Sequence, residues 1–441
     1  MKRLLSLLLC AVLALFCATT AQAAGVSITL TASEYALHYA FDAGAQDPFV
    51  ILEYATPAEK GWMMLYSEDG HFEGDVSLAY SGAGGKTSVA LISARTTGSI
   101  GKASTTLPKA ADYQKPTGKS NVKVTDFVLT ETPEGFHYAF NAIGTDYMLL
   151  YWRSKEQTVT QPVYPDENGH YEGDVISDLT FARTQFTVQV KSGSGSMKKE
   201  GTVRKGYQTP EAPQRQEGRL SGVTVCIDAG HQENGRFVNE PIGPGLTGST
   251  SGKGGMAQGT KTNRRESIVC LEIGMLLRDE LLRQGANVIM TREDQTTFHT
   301  NIERCEIAEA GGAQIMLRLH CNNSSNRSKR GIQVYGPLNS DYAKAVADAD
   351  TYREMGQKLL DAMKTRVGMT LANSTGMVRL NDNYVGNNWA KMMCFLVEMG
   401  YLSNPAEEYL LVTPVYQQWL AEGMADGVYE IAVARGWVQA Q

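Results

Sequence analysis

The sequence predicts an α/β protein: a C-terminal twisted, mostly parallel sheet with flanking helices, preceded by two tandem all-β, sandwich-like repeats. Short alternating segments separated by Gly- and Asp-containing turns fill the chain up to about 207, which is typical of small antiparallel sandwiches. From 221 onward, apolar strand-like segments alternate with helical patterns, which indicates a parallel sheet covered on both faces. The expected domains are a signal peptide (1–23), a first β repeat (24–115), a second β repeat (121–207), a linker (208–220) and an α/β domain (221–437).

The first 23 residues have the pattern of a secretory signal peptide. Lys2 and Arg3 precede an apolar run over 4–16, and the small residues AQA end at Ala23, where we expect cleavage. The apolar run is shorter than the roughly 20 residues that a membrane span needs, and no other stretch is long enough. We therefore expect a secreted protein, extracellular or in the cell envelope, with no membrane span in the mature chain.

Charge and cysteine content argue against two classes of protein, those that bind nucleic acid and those built on a disulfide framework. The formal net charge is −6 and becomes more negative when Lys2 and Arg3 are removed, which argues against nucleic-acid binding. The five cysteines of the mature chain are odd in number and form no CxxC pair, so we expect buried thiols rather than a disulfide framework. A bridge between Cys226 and Cys394 stays open as an alternative. The five are Cys226, Cys270, Cys305, Cys321 and Cys394.

The region preceding the α/β domain contains an internal duplication. ALHYAFDAG at 36–44 matches GFHYAFNAIG at 135–144, and GHFEGDVSL at 70–78 matches GHYEGDVIS at 169–177. Both matches are offset by 99 residues, as from Gly70 to Gly169, so two copies of one unit stand in tandem.

Each copy carries one histidine in a strand and one in a turn. These are His38 and His71 in the first copy and His137 and His170 in the second. Their contexts favour structural roles over metal binding, which remains the less favoured interpretation.

In the α/β domain we expect strands at 223–228, 286–291, 314–320, 331–335 and 394–399, and helices at 265–284, 300–311, 341–366 and 414–435. The first helix has an apolar face that runs from Cys270 to Leu281, and it stops at Gly285. Glu266 lies four residues before Cys270 and therefore begins the same face.

Four residues in this domain are predicted to meet at one edge of the sheet. His231 ends VCIDAGHQ, His320 lies in IMLRLHCNN and Glu398 in FLVEMGYLSNP, each at the end of a strand, and Glu266 opens the first helix. Carboxyl ends of parallel strands and the N-termini of the following helices share the edge where ligands bind. Two imidazoles and one carboxylate suit a catalytic zinc with an open position. We therefore predict one Zn²⁺ bound by His231, Glu266 and His320, with Glu398 as a base beside it.

Each residue also has a plainer interpretation. A histidine at a strand end is usually hydrogen-bonded, a glutamate in a first helical turn suits the helix dipole, and Glu398 alone would be a rim carboxylate. Convergence on one edge, and the cost of burying Glu398 without a partner, favour the metal site. His299 is expected to be solvated or at the mouth of the site, and Cys321 to pack on the opposite face of its strand.

Five segments occur in order between 223 and 432: IDAGHQ, RRES, GANVIMTRED, NIERCEIAEAGGAQIMLRLHCNN and LVEMGYLSNPAEEYLL. In these segments, nearly half of the chain resembles the zinc-dependent N-acetylmuramoyl-L-alanine amidases of the amidase-3 type. The resemblance implies that His231, Glu266 and His320 are the zinc ligands, that Glu398 is the catalytic glutamate, and that 221–437 is a zinc amidase domain.

Two further side chains lie beside these ligands in the sequence. Asp228, three residues before His231, and Asn322, two after His320, are candidates for orienting the ligands or the substrate.

The resemblance also implies a function. The chain would be an exported peptidoglycan hydrolase that cleaves the amide bond between N-acetylmuramic acid and L-alanine of the stem peptide, with a zinc-activated water and a glutamate general base. The repeats would bind a wall polymer or a protein, or restrain the catalytic domain. A zinc peptidase or deacetylase acting on another cell-wall bond, and a non-catalytic wall-binding relative, remain as alternatives.

The chain departs from the resemblance at two places. The segment between His231 and Glu266 is long and rich in glycine, and a lid or groove wall and a floppy surface loop are both open interpretations. Arg318 stands where many members have serine. Beside a cationic metal, this arginine must point away or pair with an acid such as Asp228.

Overall fold

The computed structural model divides the chain into two compact units, residues 1–119 and 120–441, which are described separately. Among the described residues, no helix combines the length and the apolar character that a membrane crossing requires. The described residues are 18–22, 25–34, 36–45, 47–57, 60–78, 81, 83–94, 98–111, 122–132, 135–143, 148–153, 158–163, 165–176, 184–192, 198–205, 209–232, 238–250, 255–367 and 378–440.

The first unit is built from two antiparallel sheets, with strand orders β1-β2-β3-β6 and β5-β4-β7-β8. Alternate residues of the strands point inward, so that Ile28, Leu30, Val50 and Leu91 are fully buried in one core. The strand β1 lies inside the segment predicted to be a signal peptide. The strands are β1 (Ala18–Gln22), β2 (Ser27–Ser33), β3 (Ala36–Asp42), β4 (Phe49–Ala55), β5 (Lys60–Tyr66), β6 (His71–Ser77), β7 (Gly85–Ser93) and β8 (Ser99–Leu107).

The second repeat has the same design. Its sheets have the orders β13-β10-β9 and β12-β11-β14-β15, which match β6-β3-β2 and β5-β4-β7-β8 strand for strand. Phe136, Phe140, Tyr171 and Phe186 are fully buried between the two sheets. The two predicted sandwich-like repeats are therefore confirmed. The strands are β9 (Lys123–Thr132), β10 (Gly135–Ile143), β11 (Met148–Arg153), β12 (Thr158–Val163), β13 (His170–Ile176), β14 (Thr184–Ser192) and β15 (Lys198–Lys205).

The C-terminal part of the second unit is an α/β domain around a six-stranded sheet of order β19-β16-β20-β23-β21-β22. Its strands are β16 (Thr224–Ala229), β19 (Asn287–Met290), β20 (Ile315–Asn322), β21 (Gln333–Gly336), β22 (Val378–Leu380) and β23 (Met393–Tyr401), with the small hairpin β17 (Glu240–Pro241) and β18 (Ser249–Thr250) outside the sheet. Its helices are α1 (Glu266–Arg283), α2 (Asn301–Ala310), α3 (Asp341–Val346), α4 (Ala349–Val367), α5 (Val385–Trp389), α6 (Glu407–Leu411) and α7 (Pro414–Ala434).

The sheet is mostly parallel, as predicted. The central strands β16, β20 and β23 and the edge strand β19 run parallel, β21 is antiparallel to β23, and β22 is parallel to β21. Helix α1 packs on β16 and β20, whereas α4 packs on β21 and β22. The C-terminal ends of β16, β20 and β23 therefore meet at one edge of the sheet.

The structure corrects one expectation from the sequence and confirms another. The helix expected at 341–366 is divided into α3 and α4, because the Asp348 carboxylate accepts a hydrogen bond from Thr351 N at 2.7 Å and starts a new helix there. All five described cysteines are buried and free, so the buried-thiol prediction is confirmed and the Cys226–Cys394 bridge does not form.

Candidate metal centre

Three candidate ligands meet at the C-terminal edge of the sheet. Glu266 Oε1 lies 3.1 Å from His231 Nε2 and 2.9 Å from His320 Nδ1. Within the described residues, this is the one group of three or more such side chains whose donor atoms all lie within 4.8 Å of one another. Two imidazoles and a carboxylate form the donor set of many catalytic zinc sites.

His231 occupies a turn that needs a glycine before it. A Cβ on Gly230 would lie 2.4 Å from Leu319 O and 2.6 Å from His320 Cε1, because the turn passes directly over β20. His231 itself has a φ of 57°, a left-handed conformation that side chains other than glycine adopt at a cost. In this conformation the imidazole ring of His231 lies 4.9 Å from that of His320 on the neighbouring strand, measured between ring centroids.

A buried arginine, which the sequence interpretation missed, holds this turn. Arg292 donates to Ala229 O at 2.7 Å, to Gly230 O at 2.9 Å and to Ser267 O at 2.7 Å. It therefore ties the end of β16 to the first turn of α1, which carries Glu266. The signal for Arg292 in the sequence was its position two residues after the apolar strand NVIM, at the same sheet edge.

Glu266 is held in place through both oxygens. Oε2 accepts from Ala257 N at 2.7 Å, and Oε1 accepts from Cys321 N at 3.0 Å in addition to the imidazoles. Burial opposes ionisation, but the hydrogen bonds from His231 and His320 outweigh it and keep the pKa of Glu266 well below its usual range. Glu266 is therefore an anion in the folded protein.

The imidazole of His320 is kept neutral. Burial lowers its pKa more than the bond to Glu266 raises it. Because the ordinary histidine pKa is about 6.5, the ring is uncharged at neutral pH, and this is the form that binds a metal.

Glu398 lies on β23 directly opposite His320 of β20 in the parallel pair. Its Oε2 is buried and has no hydrogen-bond partner in the described part of the chain. Burial, and then the negative charge of Glu266, raise the pKa of Glu398 to about 8. Glu266, with its two imidazole partners, is close enough to Glu398 to raise that pKa, and a divalent cation fits this arrangement of two carboxylates and two imidazoles.

Asp228 lies below the centre and is fully buried. Its carboxylate accepts from Arg318 Nε at 2.9 Å and from Thr291 Oγ1 at 2.8 Å, and it also pairs with Arg304. Burial opposes its charge, but the two guanidinium groups hold the pKa of Asp228 well below its usual range. The expected pairing of Arg318 with Asp228 is confirmed.

The fully buried Asp228 has no path to a substrate, and its link to the centre runs through Arg304. This arginine, which the sequence interpretation also missed, donates to Ala229 O at 3.0 Å and to His231 O at 3.4 Å. The geometry therefore gives Asp228 a part in holding the His231 turn.

The second flanking candidate, Asn322, faces the cleft beside the centre. Its Nδ2 donates to Gln333 Oε1 at 3.2 Å, and its Oδ1 accepts from Asn323 N at 2.9 Å. These contacts connect Asn322 to β21 and to the next residue, and they leave it positioned at the cleft wall. His299 also lines the cleft, at the place where the sequence expected the mouth of the site.

The cleft above the centre has a volume of ≈ 850 Å³. One wall comes from the glycine-rich segment between His231 and Glu266, through Val238, Thr250 and Met256, and Tyr384 lines the cleft as well. Residues from both described parts of this segment, 238–250 and 255–265, thus contribute to a groove wall.

Two buried carboxylates anchor that wall. Glu240 accepts from Asn301 N at 3.2 Å and from Ile302 N at 2.8 Å, which caps the N-terminus of α2. Glu408 accepts from Lys261 N at 2.9 Å and from Thr262 N at 3.2 Å. The described wall is therefore bonded to two elements of the domain, which contradicts the floppy-loop interpretation for these residues.

Comparison with known proteins shows which proteins the C-terminal half of the chain is similar to. Residues 225–430, which include all four candidate residues, match the model of the Amidase_3 family, described as N-acetylmuramoyl-L-alanine amidase. The chain is similar to the germination-specific N-acetylmuramoyl-L-alanine amidase of Bacillus subtilis strain 168, with 26% identity over 231 residues, 49% of this chain and 83% of the relative. It is also similar to the probable cell wall amidase LytH of Staphylococcus aureus, with 27% identity over 235 residues, 52% of this chain and 72% of the relative.

Solved structures with partial similarity include two amidases. The N-acetylmuramoyl-L-alanine amidase from Clostridium difficile 630 has 23% identity and a TM-score of 0.38, over 48% of this chain and 96% of that one. The amidase Ami1 from Mycobacterium smegmatis has 17% identity and a TM-score of 0.43, over 49% of this chain and 99% of that one.

Proposed function

We propose that this chain is an exported, zinc-dependent N-acetylmuramoyl-L-alanine amidase that hydrolyses peptidoglycan. The family match and the similar cell-wall amidases support the amidase class. The observation that carries the proposal is the cluster of His231, Glu266 and His320 beside the orphaned carboxylate oxygen of Glu398, at the base of an open cleft. The catalytic domain would comprise residues 221–437.

His231, Glu266 and His320 would hold one zinc ion. Zinc with three protein ligands acts as a Lewis acid on a carbonyl oxygen and makes water a stronger nucleophile near neutral pH. Glu266 is ionised and His320 is neutral, which is the protonation state that such ligands need. Arg292 and the Asp228–Arg304 pair keep the His231 turn in place through hydrogen bonds to its backbone carbonyl groups.

Glu398 would be the general base. With a cation beside it, the electrostatic repulsion from Glu266 is offset, and the carboxylate form becomes available at neutral pH. Glu398 would accept a proton from the attacking water and pass it to the departing amine of L-alanine. Its Oε2, which has no partner among the described residues, is the atom free to do so.

The bond broken would be the amide between the lactyl group of N-acetylmuramic acid and L-alanine of the stem peptide. The cleft of ≈ 850 Å³ would receive the part of the substrate where glycan and peptide meet. The repeats at 24–115 and 121–207, joined to the catalytic domain by the linker at 208–220, would bind a wall polymer or a protein partner. The segment 1–23 would direct export and be removed.

The test is mass spectrometry of peptidoglycan fragments after digestion by the zinc-loaded wild type and by Glu398→Ala. We expect stem peptides with a free N-terminal L-alanine from the wild type alone, while both proteins retain zinc. Cleavage at another bond would instead favour a zinc peptidase or deacetylase. Zinc binding without cleavage would favour a non-catalytic wall-binding relative, and an active Glu398→Ala would refute the base assignment.

A further inference from the structure

Each β repeat presents a row of imidazole and carboxylate groups on the solvent face of one sheet. In the first repeat the row consists of Asp42, His71, Glu73, His38 and Asp75 on β3 and β6. In the second repeat the equivalent row consists of Asn141, His170, Glu172, His137 and Asp174 on β10 and β13.

The two copies keep this row although it contributes little to the core. Burial explains why inward residues such as Tyr39 and its counterpart Tyr138 are alike in both copies. On the same solvent face, however, Thr29 of the first copy is replaced by Val128 in the second. Four ionisable groups therefore recur on a solvent face where core packing does not require them, and the same face also keeps Thr31 and Ala40 as Thr130 and Ala139.

The Nδ1 atoms of three of these histidines lie next to aspartate carboxylates. His38 Nδ1 lies 3.1 Å from Asp75 Oδ1, and His71 Nδ1 lies 2.7 Å from Asp42 Oδ1. In the second copy, His137 Nδ1 lies 2.9 Å from Asp174 Oδ1. In its neutral form, an imidazole whose Nδ1–H donates to a carboxylate presents the lone pair of Nε2, which is the arrangement of most metal-binding histidines.

His170 shows the same orientation with a different acceptor. Its Nδ1 lies 2.8 Å from Asn141 Oδ1, while the Asn141 amide nitrogen donates to Asp126 Oδ2 at 2.8 Å. The amide oxygen can only accept, so His170 must donate from Nδ1. Nε2 of the neutral ring is therefore an acceptor or a ligand.

In each copy, the Nε2 atoms of the two histidines face one glutamate. His38 and His71 place Nε2 at 3.4 and 3.7 Å from the two oxygens of Glu73. The corresponding separations from His137 and His170 to Glu172 are 3.3 and 3.8 Å. These distances exceed the usual hydrogen-bond length, and they approach the roughly 3.3 Å between two ligands of a tetrahedral zinc ion with bonds of about 2.0–2.1 Å.

We infer that each repeat binds one zinc ion through Nε2 of its two histidines and the glutamate between them: His38, His71 and Glu73 in the first repeat, and His137, His170 and Glu172 in the second. Unlike the centre in the α/β domain, these sets do not bring three donors within 4.8 Å of one another. The Glu73 and His71 side chains are 58% and 51% exposed and can rotate to close on the ion. Binding is therefore weaker than at the buried centre.

The experiment measures zinc per full-length chain, at equilibrium in a series of zinc buffers. The wild type is expected to bind three ions, one tightly and two more weakly. The double variant His38→Ala/His137→Ala should keep only the tight ion, and His320→Ala should keep only the two weaker ones. His299→Ala removes a histidine outside all three sets and serves as the control, with three ions expected.

A wild type that saturates at one ion, or a double variant that still binds three, would overturn the inference. The rows would then be cross-strand ion pairs that stabilise the sheets, and the double variant would melt at a lower temperature in zinc-free buffer. The isosteric variant Glu73→Gln/Glu172→Gln separates these outcomes, because it weakens both zinc sites by tenfold or more and leaves the Nδ1 bonds intact. The number of zinc ions bound per chain does not depend on amidase activity. It can therefore be interpreted even if the proposed function is wrong.

Discussion

Substitution of Asp228 by asparagine is the most direct test of how the catalytic edge is supported. Asp228 is fully buried, and the side chains of its partners Arg304 and Arg318 are only 5% and 4% exposed. Asparagine has nearly the same shape and can still accept from Thr291, but it carries no charge. The substitution therefore leaves two buried guanidinium groups next to each other without an anion.

The expected loss of stability is large. Removal of one partner of a buried ion pair costs about 3–5 kcal/mol, and here one anion serves two cations, so we expect the upper end of that range. A typical domain has a free energy of unfolding of about 5–15 kcal/mol, so the domain would keep its fold with little margin. Because Arg304 also supports the His231 backbone, we expect zinc affinity to fall by about 10–100-fold.

The assay is native-state hydrogen exchange at pH 7, followed by mass spectrometry on peptides that cover β16 and β20. These peptides report on the α/β domain alone, which matters because the chain contains several cores. The control is Asp350→Asn, which removes the partner of Arg353 on the exposed surface of α4, where the Asp350 side chain is 93% exposed. We expect a change of about 0.5 kcal/mol or less for the control.

The pH dependence gives a second check with a definite sign. The pKa of Asp228 is lower in the folded than in the unfolded protein, so its ion pairs stabilise the fold above the unfolded value of about 3.9 and are lost as pH falls below it. The difference between wild type and Asp228→Asn should therefore be constant from pH 6 to 8 and shrink under acid conditions. A loss under about 1 kcal/mol at pH 7, or a difference that grows in acid, would refute the reasoning.

Three further outcomes follow from the described contacts. Gly230→Ala forces a Cβ against Leu319 O and should lower zinc affinity at least tenfold, measured by competition with a chelator, whereas Gly255→Ala, with nothing within 4 Å of its Cβ, should not. Glu408→Gln loosens the wall at Thr262 and should raise KM several-fold with little change in kcat, and an unchanged KM would contradict a wall role. Removal of zinc should abolish hydrolysis. It should also lower the free energy of unfolding of the α/β domain by about 2.7 kcal/mol, compared with the same protein at a free zinc concentration of 100 times Kd. Equal stability in both conditions would argue against a metal site.

The fold, and the meeting of the candidate residues at one edge of the sheet, could be predicted because their signals are local. His231, His320 and Glu398 each interrupt an apolar strand pattern at its end, and the rule that parallel strands share a carboxyl edge brings them together. Glu266 could be placed because the first helix has a clear start and a clear apolar face.

The supporting residues could not be predicted, because their roles depend on contacts between distant segments. Arg304 lies in the first turn of α2 and resembles any helical arginine until the fold brings Asp228 next to it, 76 positions away along the chain. Glu408 likewise serves a segment 146 to 148 positions before it. Helix periodicity also hid the break at Asp348, whose short side chain competes with the helix for a backbone donor.

The strand β1 gives the first repeat one sheet that is wider than its counterpart. β1 pairs along the whole of Ala18–Gln22 with β2. In the second repeat, β9 corresponds to β2 and is the last strand of its sheet among the described residues. Cleavage at the predicted position after Ala23 would remove β1 completely, and the described strands of the two repeats would then form equal three-stranded sheets, β2-β3-β6 and β9-β10-β13. Maturation would thus do more than release the chain, since it would uncover the backbone of β2 as an open sheet edge.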